Sequence, residues 1–161
     1  MDAVESASFD AVFAADRLIA LLRNGASEYR WRYDQAVSDD LGERWQITPG
    51  AIAVAPESDC SLPSPFIAVS GRDPSQVYAL QSERGTIGDS RGRIYLWTAG
   101  AKTLRWKRKG LVASIPKTAA GLSDWSYPWM TPLDADNWFL VFYAGHVSGS
   151  NSIWGMTIKP H

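Results

Sequence analysis

Residues 38 to 45 combine side chains that can satisfy the backbone of a tight turn: Ser38-Asp39-Asp40-Leu41-Gly42-Glu43-Arg44-Trp45. A Ser hydroxyl and an Asp carboxylate can accept hydrogen bonds from the N–H groups of the turn, and Gly supplies backbone freedom. Trp45 then buries a large ring at the start of the next strand. The spacing S-x-D-x-G-x-x-W therefore predicts a hairpin, and it assigns Ser38, Asp40, Gly42 and Trp45 a structural role. Catalysis requires other residues.

Cysteine and histidine are too scarce for a metal site. Cys60 is the single cysteine, and His146 and His161 are the two histidines. An internal disulfide and a Cys-based zinc site are thereby excluded, and a histidine-rich metal site is not expected. We therefore expect no cofactor and no bound metal.

Charge and hydropathy exclude several classes of partner. The net charge of -1 gives no electrostatic basis for binding nucleic acid or an anionic membrane. No apolar run approaches the roughly 20 residues of a membrane span. The first residues, Met1 to Glu5, are acidic and lack the pattern of a signal peptide, so a cytoplasmic location is expected if this N-terminus is native.

The elements that position these residues are strands in a repeated unit. Eight Trp, six Tyr and five Phe, with 13 Gly and nine Pro, favour a β-rich and turn-rich chain. Similar residues recur after 61 positions in similar settings: Arg23 and Arg84, Trp45 and Trp106, Phe66 and Tyr127, and, one shift later, Tyr78 and Phe139. A repeat of this length containing several short strands predicts β-propeller blades.

The segment from Phe9 to Gly25 allows two interpretations. Apolar residues at 9, 12, 13, 19 and 22 suit an amphipathic helix ended by Asn24-Gly25. The repeat instead predicts two strands that turn at Asp16-Arg17. We favour the hairpin and keep the helix as the alternative.

The motif at 38–45 and the order of the repeated segments resemble the sialidase-like β-propellers, whose blades carry the Asp-box or BNR repeat. This resemblance covers about residues 8 to 158. It implies an all-β fold of about three four-stranded antiparallel blades, at approximately 8–48, 62–108 and 125–158, in a single partial propeller domain over 1–161. The second unit departs from the motif, because Ala99, Ala101 and Thr103 stand where Ser, Asp and Gly are expected.

The same resemblance implies candidate site residues. Sialidases hold the sugar carboxylate with three arginines, and Arg23 and Arg84 match two of these positions; the guanidinium fork suits a planar carboxylate. Tyr127 lies where an inner strand starts, and for this residue the resemblance implies a role at the site, including that of nucleophile. His146 is a further candidate for ligand contact. The match is incomplete, because Gly145 stands at the third arginine position. For each residue the alternative is structural: a rim ion pair, inter-blade packing or a solvated loop.

Two classes of function follow from the resemblance. The first is an exo-acting glycoside hydrolase of sialidase type, acting on glycans with acidic sugars, with an incomplete active site in this chain. The second is a propeller that binds a glycan or a protein without chemistry. Fewer than four blades cannot close a ring. We therefore expect either a fragment of a longer protein or a homo-oligomer that closes the propeller, with a poorly folding remnant as a further alternative.

Overall fold

The computed structural model describes residues 6–24, 31–54, 60–85, 92–115, 123–146 and 152–160. All regular structure in these ranges is β-strand. The strands are β1 Ser6–Ala14, β2 Arg17–Asn24, β3 Arg32–Ser38, β4 Gln46–Ala53, β5 Cys60–Ser61, β6 Phe66–Val69, β7 Gln76–Gly85, β8 Gly92–Gly100, β9 Lys107–Ile115, β10 Ser123–Pro132, β11 Trp138–His146 and β12 Ser152–Ile158. None of the described segments is a helix that could cross a membrane.

The strands form three antiparallel sheets in chain order. The first sheet has the order β1-β2-β3-β4, and the third has the order β10-β11-β12. In the second sheet β7, β8 and β9 follow one another, and both β5 and β6 pair with β7. The first and third sheets are thus meanders of neighbouring strands, and so are β7, β8 and β9 in the second sheet. The prediction of an all-β fold is confirmed.

The helix alternative for 9–25 is wrong, and the hairpin is confirmed. Strands β1 and β2 pair along their length, with Ala14 opposite Arg17. The two residues between them, Ala15 and Asp16, have φ values of 52° and 62°, which suits a two-residue hairpin turn. The alternation of a strand buries Ile19 and Leu21 on one face. Burial of that face against the second sheet outweighs the helix propensity of Ala and Leu.

Two apolar cores hold the three sheets together. The core between the first and second sheets includes Ile19, Leu21 and Tyr33 on one side and Val77 and Ala79 on the other. The core between the second and third sheets contains eleven buried residues: Phe66, Tyr78, Leu80, Ile94, Leu96, Met130, Trp138, Leu140, Phe142, Ala144 and Ile158. The second sheet is therefore covered on both faces.

Polar contacts fix the register between neighbouring sheets. The carboxylate of Asp10 in β1 accepts a hydrogen bond from the backbone N–H of Ile67 in β6 (2.9 Å). Arg72 and Asp136, in the turns after β6 and β10, form an ion pair. Because these contacts lie along and beyond the first strands of the sheets, they align the sheets side by side.

The outward faces of the first and third sheets are apolar and open. Phe9 and Phe13 of β1 are 69% and 55% exposed. Phe139, which follows Tyr78 after 61 residues, is 39% exposed, whereas Tyr78 is buried. A third sheet covers Tyr78, whereas the ring of Phe139 lies over Gly155 of its own sheet and no further described sheet covers it.

The turn between β3 and β4 is stabilised by its own side chains. Ser38 Oγ accepts a hydrogen bond from the N–H of Gly42 (2.8 Å), and Asp40 Oδ1 accepts one from the N–H of Arg44 (2.9 Å). Trp45 Nε1 donates to the carbonyl of Gly42 (3.0 Å). Gly42 has a φ of 98°, a conformation that residues with a Cβ rarely adopt. These contacts give the four residues a structural function in the turn.

Replacing Leu80 by Ala is expected to destabilise the protein by about 2–5 kcal/mol, because Leu80 is fully buried in the core between the second and third sheets. Leu111→Ala is the matched control, since Leu111 is 53% exposed. Chemical denaturation of both variants measures the difference. Equal losses of stability in the two variants would contradict the assignment of this core.

Candidate functional site

The candidate site residues named from the sequence lie at one end of the stacked sheets. We call it the entry end: the edge at which β1 and β10 begin and β2, β7 and β11 end. Ser8 near the start of β1 and Ser64 just before β6 share a hydrogen bond here (3.0 Å). Arg23, Arg84, Tyr127 and His146 belong to strand segments at this end, whereas the turn at Ser38–Trp45 lies at the opposite end.

An arginine and two tyrosines form the best-defined cluster at the entry end. Arg84 donates a hydrogen bond from Nη2 to the hydroxyl of Tyr143 (2.9 Å), linking the second sheet to the third. Tyr127 stacks on Tyr143, with ring centroids 5.7 Å apart and an interplanar angle of 26°. We call these three residues the Arg84–Tyr143–Tyr127 cluster.

An irregularity in β10 places Tyr127. The pairing of β10 with β11 shifts register between Ser126 and Trp129, and Tyr127 has a φ of 49°. A bulge leaves residues unpaired and re-aims their side chains, and a positive φ is unusual for a bulky residue. The side chain of Tyr127 is 52% exposed. The cluster therefore presents the Tyr127 ring to solvent, stacked on Tyr143, whose hydroxyl is bonded to the Arg84 guanidinium.

Arg23 and His146 are not part of this cluster. Arg23 is half-buried near the end of β2, opposite Ser8 and Tyr33, and the described residues provide its side chain with neither a hydrogen bond nor an ion pair. His146 ends β11 opposite Ser123, and its side chain lies outside the described part of the structure. Both remain predicted ligand contacts.

Glu83 is a buried carboxylate beside Arg84 in sequence, with different partners. Its carboxylate accepts a hydrogen bond from Gln81 Nε2 (3.1 Å) and lies 3.5 Å from Nη1 of Arg93. Gln81 in turn accepts a hydrogen bond from the indole of Trp97 (2.6 Å). Burial raises the pKa of Glu83, although Arg93 opposes that shift. Glu83 is a structural group of the second sheet, and its raised pKa favours the protonated form.

Asp10 is engaged in backbone contacts, and the described residues provide no activating base for Tyr127. The carboxylate of Asp10 accepts hydrogen bonds from the N–H groups of Ala11 and Ile67. The hydroxyl of Tyr127 forms no hydrogen bond with a described residue, so no described base is in place to activate it. Among the described residues, no group of three or more His, Cys, Asp or Glu could hold a metal ion.

Tyr143 is the member of the cluster that sequence reasoning missed. It lies in the run Trp138-Phe139-Leu140-Val141-Phe142-Tyr143, which predicts a strand. Within such a run, alternation assigns a residue to a face but does not say which element that face meets. The pairing with Arg84 requires the packing of two sheets.

Glu83→Gln is expected to change the pH dependence of stability. The pKa of Glu83 is higher in the folded state than its ordinary value of 4.5. The group therefore contributes to the free energy of unfolding when the pH is below the pKa of the unfolded state, and this contribution is lost as the pH rises through the pKa of the folded state. The glutamine variant lacks this loss, so its free energy of unfolding should increase relative to the wild type as pH rises above about 4.5. Denaturant titrations between pH 4 and pH 8, about the range of this group's titration, measure the effect. A pH-independent difference between the two proteins would refute it.

Solved structures with the same fold are glycosidases. An α-L-arabinanase from Penicillium chrysogenum matches with a TM-score of 0.74 and 13% identity over 96% of this chain and 46% of that chain. An α-L-arabinofuranosidase from Fusarium graminearum matches with a TM-score of 0.68 and 16% identity over 95% of this chain and 45% of that one. An exo-β-1,3-galactanase from Phanerochaete chrysosporium matches with a TM-score of 0.61 and 9% identity over 99% of this chain and 40% of that one.

No protein-family model matches the chain, and no curated protein matches it. The chain spans less than half the length of each structure named above. These matched structures are arabinan- and galactan-directed enzymes and not sialidases, so the sialidase-specific part of the sequence prediction is not supported by them. At these identities the likeness shows the fold alone: the three antiparallel sheets are similar to the blades of β-propeller glycosidases.

Proposed function

We propose that this chain is part of a glycoside hydrolase of β-propeller architecture and that its entry end binds a glycan. The observation that carries the proposal is the Arg84–Tyr143–Tyr127 cluster, which combines an exposed aromatic ring with a guanidinium at one end of the sheets. The propeller fold shared with arabinan- and galactan-directed enzymes supports it.

The cluster suits a sugar ligand for two reasons. The ring of Tyr127 offers a flat apolar surface with a polar hydroxyl at its edge, a combination that favours ligands with both apolar faces and hydroxyl groups. The guanidinium of Arg84 carries N–H donors in a planar fork that matches a carboxylate. An acidic sugar would use both groups, whereas a neutral arabinoside or galactoside would rely mainly on stacking.

Hydrolysis requires more than this binding surface. Glycosidases use a pair of carboxyl groups, or a Tyr nucleophile with its own activating groups, on either side of the scissile bond. Tyr127 acts in our proposal as a stacking residue. A role as nucleophile would need a base from outside the described residues. A non-catalytic glycan- or protein-binding propeller is the second candidate, favoured by the engagement of Asp10 in holding β6.

The open faces of the first and third sheets require cover in the complete propeller. Phe9 and Phe13 on one face and Phe139 on the other are exposed apolar residues of the kind that elsewhere in the chain pack between sheets. We treat residues 1–161 as one partial propeller domain. Further blades of a longer polypeptide, or a second copy of the chain, would complete the ring.

The mass of the purified chain in solution tests this requirement. Light scattering coupled to size-exclusion chromatography should show a discrete homo-oligomer or a polydisperse association, because the exposed apolar faces favour assembly. Replacing Phe9 and Phe13 together by Ser should shift the mass toward the monomer. A wild-type chain that is monodisperse and monomeric at high concentration would contradict the requirement for cover.

The binding site is tested with Arg84→Ala and Tyr127→Ala, using arabinobiose, β-1,3-galactotriose and a sialyllactose as ligands. For the acidic sugar, Arg84→Ala should weaken binding about tenfold or more, because hydrogen bonds to charged groups contribute about 1.5–3 kcal/mol. For the neutral sugars, Tyr127→Ala should cause the larger loss. Isothermal titration calorimetry measures both effects.

Arg44→Ala is the matched control, because Arg44 is exposed and lies at the opposite end of the sheets. Tyr127→Phe separates stacking from the hydroxyl group. Hydrolysis of the bound sugar by the wild type would favour the enzyme over the binding module. Retention of wild-type affinity by both Ala variants would refute the site.

A further inference from the structure

The hairpin formed by β8 and β9 concentrates positive charge. Residues 92–115 contain six of the 16 basic residues and none of the 17 acidic residues. The rest of the chain therefore holds ten basic and 17 acidic residues. A nearly neutral protein thus carries a strongly cationic hairpin on an otherwise acidic chain.

Five of these cations are exposed at one border of the second sheet. Arg93 is turned toward Glu83. The other five, which we call the basic edge, are Lys102, Arg105, Lys107, Arg108 and Lys109, and each is solvent-exposed. None of the five forms an ion pair with a carboxylate in the described ranges. Arg108 acts electrostatically on Glu83, so the charge of the basic edge that a ligand can meet is mainly that of Lys102, Arg105, Lys107 and Lys109.

The basic edge lies along β9 and the turn that precedes it. β9 is the last strand of its sheet, and its pairing with β8 shifts register at Ile94/Tyr95 and again at Leu96/Trp97. The second shift makes Lys109 an extra residue between Arg108, which pairs with Trp97, and Gly110, which pairs with Leu96. The simple alternation of a strand is therefore interrupted among these cations. A polymer that carries many negative charges can contact several cations of the basic edge at once.

The aromatic residues of the hairpin argue against a nucleic acid ligand. Binding of single strands relies on exposed rings on which bases stack. Here Tyr95, Trp97 and Trp106 are all partly buried. The guanidinium of Arg108 lies 5.0 Å from the centre of the Tyr95 ring, and the indole N–H of Trp106 is donated to Gln35 (2.8 Å).

We propose that the basic edge binds an anionic polysaccharide, as a second surface separate from the entry end. Its partner is a linear glycan with carboxylate or sulfate groups along the chain, held by lysine and arginine contacts without base or ring stacking. The turn that begins the basic edge lies at the opposite end of the sheets from the Arg84–Tyr143–Tyr127 cluster. This proposal does not depend on hydrolysis at the entry end, because the experiment that tests it measures binding to the basic edge.

The simplest alternative is that the cations only prevent edge-to-edge pairing. Lysine on an edge strand is a common protection against aggregation. That role concerns β9 itself and does not require Lys102 and Arg105 in the preceding turn, nor the absence of every acidic residue from the hairpin. The two explanations predict different consequences when the charge is removed.

The test compares two double variants that remove the same charge. Lys107→Gln/Lys109→Gln alters the basic edge, and Arg44→Gln/Lys159→Gln removes two exposed cations elsewhere. The probes are decagalacturonate for carboxylate groups, a κ-carrageenan decasaccharide, which carries sulfate and no carboxylate, and a neutral galactan oligosaccharide. Binding is measured by fluorescence anisotropy at several NaCl concentrations.

The wild type should bind at least one anionic oligosaccharide and not the neutral one, and affinity should fall with salt. In the variant of the basic edge, the slope of log Kd against log salt concentration should fall by roughly one to two, since each cation removed eliminates about one released counterion. The control variant should keep the wild-type slope. Comparison of the two anionic probes shows whether carboxylate or sulfate is preferred.

Four results would overturn the proposal. The first is no binding of either anionic oligosaccharide at low salt. The second is an equal loss of binding in both double variants. The third is tighter binding of a single-stranded oligonucleotide of equal charge. The fourth is aggregation of the Lys107/Lys109 variant with unchanged binding, which would assign the cations to edge protection alone. Circular dichroism of each variant establishes that it is folded before binding is compared.

Discussion

Burial of both faces of the second sheet is the constraint on which the rest of the structure depends. Alternate residues of β7 enter different cores: Val77 and Ala79 pack toward the first sheet, and Tyr78 and Leu80 pack toward the third. A strand between two apolar layers must therefore be apolar at consecutive positions. β7 meets this requirement from Val77 to Leu80, and it lies in the sheet at the centre of the stack.

The constraint also positions the functional side chains. Beyond the apolar part of β7, alternation continues into its polar end. Arg84 reaches Tyr143 of the third sheet, while Glu83 is held by Gln81 and Arg93 within the second sheet. Apolar packing in the middle of the strand thus determines the partners of two adjacent charged residues at its end. Because the core is rigid, those partners are set before any ligand arrives.

Much of the fold could be predicted from sequence because the signals are local. The strands follow from alternation. The repeat predicted the first hairpin with its turn at Asp16-Arg17, one residue from the observed turn at Ala15–Asp16. The repeat also relates Trp45 to Trp106, yet the two residues differ in the structure. Trp106 packs against the core between the first two sheets, whereas Trp45 is 42% exposed. Equivalent positions in a repeat share a backbone role, but burial depends on whether a neighbouring sheet is present.

The sequence by itself determined the all-β class, the side chains that stabilise the turn at Ser38–Trp45, and the set of candidate site residues. The tertiary structure alone decided which of these meet. Arg84 and Tyr143 are 59 residues apart, and their contact exists only because two sheets pack face to face. The conformation of Tyr127 depends on a bulge between two strands. Local signals act over a few residues, whereas contacts between sheets depend on burial shared by the whole stack.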